Sequence, residues 1–195
     1  MPIYLVRHAE STANAGELTD DDPIDVPLSN LGIGQAYSLA EQITKEPNFI
    51  ISSPLIRAIQ TAEPLANKFN KHIEIWQELA EFHYLDLSRL DSNSYPERRY
   101  ARRRYYDRDD PKYIDGPEAE SYSQFLERVD RAIDQIRPLG GNNTTYIFSH
   151  EITIWAIQMR LGGYNNEQMW TAFKNRYFGI KNTEVTQLDQ RNLWS

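Results

Sequence analysis

Residues 2–11 read Pro-Ile-Tyr-Leu-Val-Arg-His-Ala-Glu-Ser. Ile3 to Val6 have the look of a short buried strand, and that strand is broken by a guanidinium and an imidazole side by side. A core strand tolerates such a pair only where its end opens onto something polar, because a buried charge without a partner is costly. The same break recurs along the chain. Phe49-Ile50-Ile51 forms a second strand, ended by Ser52-Ser53-Pro54 with Arg57 just beyond. Ile73 to Leu79 is a third strand candidate with Glu81 past its end, and Thr144 to Phe148 a fourth, closed by Ser149-His150.

Helical patterns separate these strands. Ser29 is a suitable N-cap for a helix with Ile33, Ala36, Leu39, Ala40 and Ile43 at three- and four-residue steps. A second helix runs from Leu55 to Phe69 with Ile56, Ile59, Ala62, Leu65, Ala66 and Phe69 on one face. Glu120-Ser121 leads into a third, bearing Phe125, Val129, Ile133 and Ile136, and Ile152 to Leu161 is a fourth. Polar loops occupy Ser11 to Asn14 and the acidic Thr19 to Pro23, and residues 140–143 read as a turn. Two short strands are expected at Tyr177–Lys181 and Glu184–Leu188. Strands alternating with helices predict a three-layer α/β/α sandwich with a mostly parallel central sheet. In such folds the ligand crevice lies beyond the carboxyl ends of the strands. Arg7-His8, Ser53 with Arg57, Glu81 and Ser149-His150 all fall at that edge.

The 195 residues suit one domain, residues 1–195, carrying residues 82–118 as an inserted cap. A chain of this length buries enough surface to fold without disulfides or a structural metal, and it contains no Cys. The first apolar run stops at Arg7, too short for a signal peptide, and no run approaches a membrane-spanning length. A soluble, cytoplasmic protein is expected. Its formal charge of −7 argues against nucleic acid as a partner.

The strand-end residues make a chemical kit of two imidazoles, two guanidiniums and a carboxylate. Arginine's planar fork matches phosphate oxygens and is always charged. A neutral imidazole whose other nitrogen is held as a donor is a competent nucleophile toward phosphorus. A carboxyl group kept protonated can hand a proton to a departing alkoxide. The helix start after His150 offers backbone N–H groups and a positive dipole end.

These residues stand in longer motifs. Leu5 to Asn14, reading L-V-R-H-A-E-S-T-A-N, resembles the signature of the histidine phosphatase superfamily, also called the phosphoglycerate mutase-like family. Leu28 to Ala36 (L-S-N-L-G-I-G-Q-A) and Ser52 to Ala62 (S-S-P-L-I-R-A-I-Q-T-A) are similar to two further segments of that family. Leu79-Ala80-Glu81, Glu120-Ser121-Tyr122 and Ser149-His150 follow in its order. The resemblance implies that His8 is a transiently phosphorylated nucleophile, and that Arg7, Arg57 and His150 clamp the phosphoryl oxygens. It implies that Asn14 and Ser11 contribute to substrate binding, and that Glu81 protonates the leaving group and then activates water. It implies neither a metal nor any other cofactor, and a small phosphorylated substrate as the partner. A phosphomonoester hydrolase is the expected activity. A cofactor-dependent phosphoglycerate mutase, or a non-catalytic binder of phosphorylated ligands, are the alternatives.

Three departures stand out. Ala9 replaces a commoner Gly; Glu151 follows His150 where the family often has Gly-Gly; and Glu78 is a nearby rival to Glu81. Glu151 would repel an anion unless it turns away, and at a helix start it suits the dipole. Residues 97–110 hold six Arg against four acids. They read either as a solvated helix with Arg–Asp pairs and its Tyr residues packed inward, or as a lid whose arginines grip a second anionic group. Glu81-Phe82-His83-Tyr84, and either Glu97-Arg98-Arg99 or Arg103-Arg104-Tyr105-Tyr106-Asp107, resemble segments of the mutase branch, and His72 reads as a surface residue.

Overall fold

The strand read from the opening residues is β1 (Ile3–Arg7), and it lies next to one edge of a five-stranded sheet in the order β3-β2-β4-β1-β5. β4 (Thr145–Ser149) is the centre, with every residue buried, and runs parallel to β1 with Ile3 opposite Thr145 and Arg7 opposite Ser149. β2 (Phe49–Ser52) runs parallel to β4 on its other side and to β3 (Ile73–Ile75) beyond. β5 (Val185–Gln187) closes the opposite edge antiparallel to β1. The computed structural model describes residues 2–16, 26–90, 95–141, 143–175 and 178–189.

Side chains alternate across this sheet as the two-residue period of a strand requires. Val6, Ile50, Tyr146 and Phe148 pack on one face against α1 (Asn30–Gln42) and α2 (Ile56–Phe69) through Leu39, Ala40, Ala62 and Leu65. Ile3, Leu5, Ile51 and Ile147 face the other layer, built from α4 (Tyr122–Ile136), α5 (Glu151–Leu161) and α6 (Asn166–Lys174). α4 buries a stripe from Tyr122 and Phe125 through Val129 and Ile133 to Ile136, each large side chain contributing roughly 1.5–3 kcal/mol. Its start is fixed by a capping box in which Ser121 and Gln124 satisfy each other's backbone N–H groups. The layers and the mostly parallel sheet are those expected.

Three expectations need correction. The third strand stops at Ile75 and does not reach Leu79: β2 ends at Ser52, the last bond is Trp76 N–H to the Ser52 carbonyl (2.9 Å), and Gln77–Leu79 then coils into a 3₁₀ turn. Phe178 to Lys181 form no strand, and Tyr177 lies outside the described residues. The apolar alternation there serves packing, since Phe178 stands edge-on to Trp155 and Ile180 is buried. Ile33 is 47% exposed, because Gly32 and Ala36 turn inward in its place. The acidic stretch from Thr19 to Pro23 lies outside the described residues, as does Asn142 of the turn at 140–143.

The segment 82–118 contains α3 (Tyr95–Asp107). Tyr105 of this helix is buried, 4.8 Å from Tyr84 between ring centres, within an aromatic cluster that also holds Phe82, Tyr122, Phe125 and Phe173. An Arg103–Asp107 pair at 3.8 Å lies on its exposed side, while Tyr100 is exposed. Both features of the solvated-helix reading are present in part.

Candidate active site

The parallel register of β1 and β4 sets their carboxyl ends side by side, and His8 N–H bonds the Ser149 carbonyl at 2.9 Å. The imidazoles of His8 and His150 are thereby brought to 5.0 Å between ring centres. His8 Nδ1 lies 2.6 Å from its neighbour's carbonyl, that of Ala9. A carbonyl only accepts, so Nδ1 carries the proton and Nε2 keeps its lone pair. Burial, then the charge of Arg57, lowers the His8 pKa to about 3, and the ring is neutral at physiological pH.

His150 is fully buried, and Ser53 Oγ lies 2.7 Å from its Nε2. Ser53 Oγ also accepts the Leu55 N–H at 3.2 Å. His150 Nδ1 is buried with no partner among the described residues. Burial, reinforced by Arg57, pushes the His150 pKa well down and keeps the ring neutral.

Arg57 sits in the first turn of α2, tied to the His8 loop by Thr61. Thr61 Oγ1 donates to the Arg57 carbonyl (2.6 Å) and accepts the Ala9 N–H (3.0 Å). α1 secures the same loop from the other side: Ser29 N–H bonds the Glu10 carbonyl (2.9 Å), and Gln35 accepts the Glu10 N–H (2.9 Å). Arg7 donates to the Ile180 carbonyl and pairs with Glu151 at 3.4 Å.

Glu81 is half-buried, beside the start of α5. It accepts N–H groups from Phe82 (2.9 Å), Ile152 (3.2 Å) and Thr153 (3.2 Å). The N-terminal donors of α5, expected to be available to a ligand, are thus engaged by Glu81 at Ile152 and Thr153. Those bonds favour the carboxylate, but burial outweighs them and raises its pKa. Thr153 Oγ1 is 2.8 Å from the Ala80 carbonyl and 3.2 Å from Glu81 Oε1. Its single proton goes to the carbonyl, so a protonated Glu81 can donate to the hydroxyl oxygen. The loop bearing Glu81 is held from below by Arg128 of α4, which donates to the carbonyls of Glu78 (2.9 Å), Ala80 (2.8 Å) and Glu81 (3.3 Å) and pairs with Glu120.

Arg7, His8, Ser11, Asn14, Arg57 and Glu81 line one cavity of about 410 Å³. His150 stands behind His8 and is not part of the lining. Asn14 Oδ1 accepts from Ser11 N–H (3.3 Å) and from Asn182 Nδ2 (3.4 Å). Glu151 does not turn away; it is in the wall. Glu78 stays out of the lining, set apart from Glu81 by the 3₁₀ turn at Gln77–Leu79. From α3, Arg98, Arg102 and Tyr106 overhang the cavity at four-residue steps, joined by Tyr84, Leu87 and Phe178. His72 is exposed, and His83 is half-buried away from the cavity.

Sequence reasoning put Ser53 at this edge without its supporting role, and missed the other groups that hold the site: Thr61, Thr153, Arg128 and Asn182. Only Ser53 and Thr61 carried a signal, as polar members of an otherwise apolar strand end and helix face. Among the described residues, no group of three or more His, Asp or Glu is placed to hold a metal, and no helix is long and apolar enough to cross a membrane.

Residues 3–192 match the family model described as the histidine phosphatase superfamily (branch 1). A relative from Escherichia coli O1:K1 named "Probable phosphoglycerate mutase GpmB" is 29% identical over all of this chain and 87% of its own length. Two solved structures share the fold. The alpha-ribazole phosphatase from Shigella flexneri has a TM-score of 0.77 at 23% identity, over 97% of this chain and 90% of that one. The phosphoserine phosphatase from Entamoeba histolytica, in complex with 3-phosphoglyceric acid, has a TM-score of 0.72 at 22% identity, over 97% and 91%.

Proposed function

The chain belongs to the histidine phosphatase superfamily, and we propose that its pocket hydrolyses phosphomonoesters through a phosphohistidine on His8. The observation that carries this reading is the bond from Nδ1 to the Ala9 carbonyl, which leaves Nε2 of a neutral, cavity-lining imidazole as the free lone pair. Nε2 attacks phosphorus as the ester P–O bond breaks, and Glu81 gives its proton to the departing alkoxide. The resulting Glu81 carboxylate then takes a proton from water as the water oxygen attacks phosphorus. The P–N bond breaks, and inorganic phosphate and neutral His8 are restored. Arg7 and Arg57 stabilise the charge on the equatorial oxygens, which is where most of the catalysis of phosphoryl transfer resides, and His150 backs the His8 ring from 5.0 Å. Asn14 and Ser11 complete the phosphate subsite. The arginines supply the positive charge that a metal supplies elsewhere, so no metal enters these steps.

The substrate is a small phosphorylated metabolite, in keeping with a cavity of about 410 Å³. The 82–118 segment acts as a cap on the single domain, with Arg98 and Arg102 reaching an anionic group on the leaving group and Tyr84 and Tyr106 flanking its body. The proposed setting is the cytoplasm.

A phosphoglycerate mutase is the second reading, favoured by the arginines of α3 and by the GpmB relative. It keeps the His8 chemistry and returns the phosphoryl group to bound intermediate. Product analysis with 3-phosphoglycerate and bisphosphoglycerate separates the two. Release of inorganic phosphate is the expected result; isomerised phosphoglycerate overturns the hydrolase in favour of the mutase. Phosphate binding without turnover on any of a panel of phosphomonoesters leaves only a phospho-ligand binder.

A further inference from the structure

Glu151 has no part in the steps above, yet its carboxylate is in the wall of the phosphate cavity. It is the first residue of α5, one position after His150 and one before Ile152, whose N–H is committed to Glu81. Its carboxylate lies 3.4 Å from Arg7 Nη2, and its side chain is 28% exposed against 14% for Arg7. The other end of the same guanidinium is tied to the Ile180 carbonyl. Arg7 therefore meets an incoming phosphate with Nη2 already engaged by a carboxylate. An anion that takes Nη2 either displaces Glu151 or is held against its negative charge.

We propose that Glu151 is the specificity-determining residue of the pocket. Its carboxylate competes with phosphate for Arg7, weakens the hold on inorganic phosphate, and disfavours esters whose leaving group carries a second anion next to the ester oxygen. Leaving groups that present a hydroxyl or ammonium there are accepted, because a carboxylate takes hydrogen bonds from donors. The inference rests on the phosphatase reading. It gives the substrate a shape in charge: phosphate first, a hydrogen-bond donor beside the ester, and any second anion farther out, toward Arg98 and Arg102. Two like charges a few ångströms apart near a protein surface are worth roughly a ten-fold change in affinity or more. Release of phosphate is eased in the same measure, since Glu151 recovers Arg7 as the product leaves.

The test compares the full chain with Glu151→Gln and Glu151→Ala at one fixed pH. Calorimetric titration with inorganic phosphate reads affinity, and kcat/KM for hydroxyethyl phosphate and for phosphoglycolate reads specificity. Both variants are expected to bind phosphate about ten-fold more tightly and to shift the kcat/KM ratio several-fold toward phosphoglycolate. Unchanged or weaker phosphate binding in the variants overturns the inference, and weaker binding assigns Glu151 to orienting Arg7 instead. A wild-type chain that binds and releases phosphate while the variants match it refutes this inference alone. A wild-type chain that neither binds phosphate nor hydrolyses either ester refutes the phosphatase reading with it.

Discussion

At the scale of single residues, the site depends on groups kept in uncharged forms by burial. Glu81 is the clearest, with a pKa raised by burial despite three backbone donors. If it is the acid, Glu81→Gln lowers kcat/KM for alkyl phosphates by about 10²–10⁴ and for aryl phosphates far less, because a phenolate leaves without a proton. kcat/KM is the right quantity, since it reports steps up to the first irreversible phosphoryl transfer; equal slowing of both classes counts against the acid role. The two histidines make the fold itself sensitive to pH. Their folded pKa values lie below the unfolded value near 6.5, so below that pH the unfolded chain binds protons the folded chain refuses, and stability falls on acidification. Glu81 works the other way above its ordinary value near 4.5, because there the folded chain holds a proton that the unfolded chain has lost. With two histidines against one glutamate, stability falls as the pH drops from 6.5 toward 4.5. Denaturant titrations across that window should detect it, with a flatter profile in His8→Asn; stability that holds or rises on acidification contradicts the protonation states assigned here.

At the scale of elements, the active-site loop is only as well placed as the helices that flank it. Gly32 of α1 illustrates this: a Cβ there would stand 1.9 Å from the Glu10 carbonyl oxygen, a backbone atom that cannot swing aside. Gly32→Ala is expected to cost about 1–3 kcal/mol by overpacking, and to lower activity more than stability alone explains, because the shift passes to His8. Thermal melts alongside kcat check this, and a variant with wild-type values refutes the role of α1 as a brace. The elements of the sheet and of α1, α2, α4 and α5 were legible because their apolar periods are regular. β3 was read too long because its sequence does not reveal that β2 offers no partner beyond Ser52. Phe178 and Ile180 alternate like a strand, but they alternate to pack on Trp155 and to lend Arg7 a carbonyl. α3 was the hardest to read: Tyr105 and Tyr106 point inward only because Phe82, Tyr84 and Phe173, distant in sequence, form a cluster for them.

At the scale of the whole molecule, the strand order does the assembling. Placing β4 between β1 and β2 brings His8, Ser53 and His150 to one edge, and the chain then needs only short loops to add Arg57 and Glu81. That convergence could be read from the strand ends, and the motifs gave the residues their expected parts. The supporting bonds could not, because Ser53 to His150, Thr61 to Ala9 and Arg128 to Ala80 join positions that no local pattern relates. Charge is arranged on the same scale: a chain of net −7 gathers Arg7, Arg57, Arg98 and Arg102 around one cavity and answers them with Glu151. All of this is organised around a lone pair on His8 Nε2, and the most direct test is to look for what that lone pair forms. The chain is mixed with a radiolabelled phosphomonoester, quenched within a turnover in alkali, and mapped by peptide mass spectrometry. The account predicts a label stable in alkali, lost in acid and carried by His8, with neither label nor turnover in His8→Ala of near-unchanged thermal stability. Turnover without label on His8, or turnover surviving in His8→Ala, would contradict it.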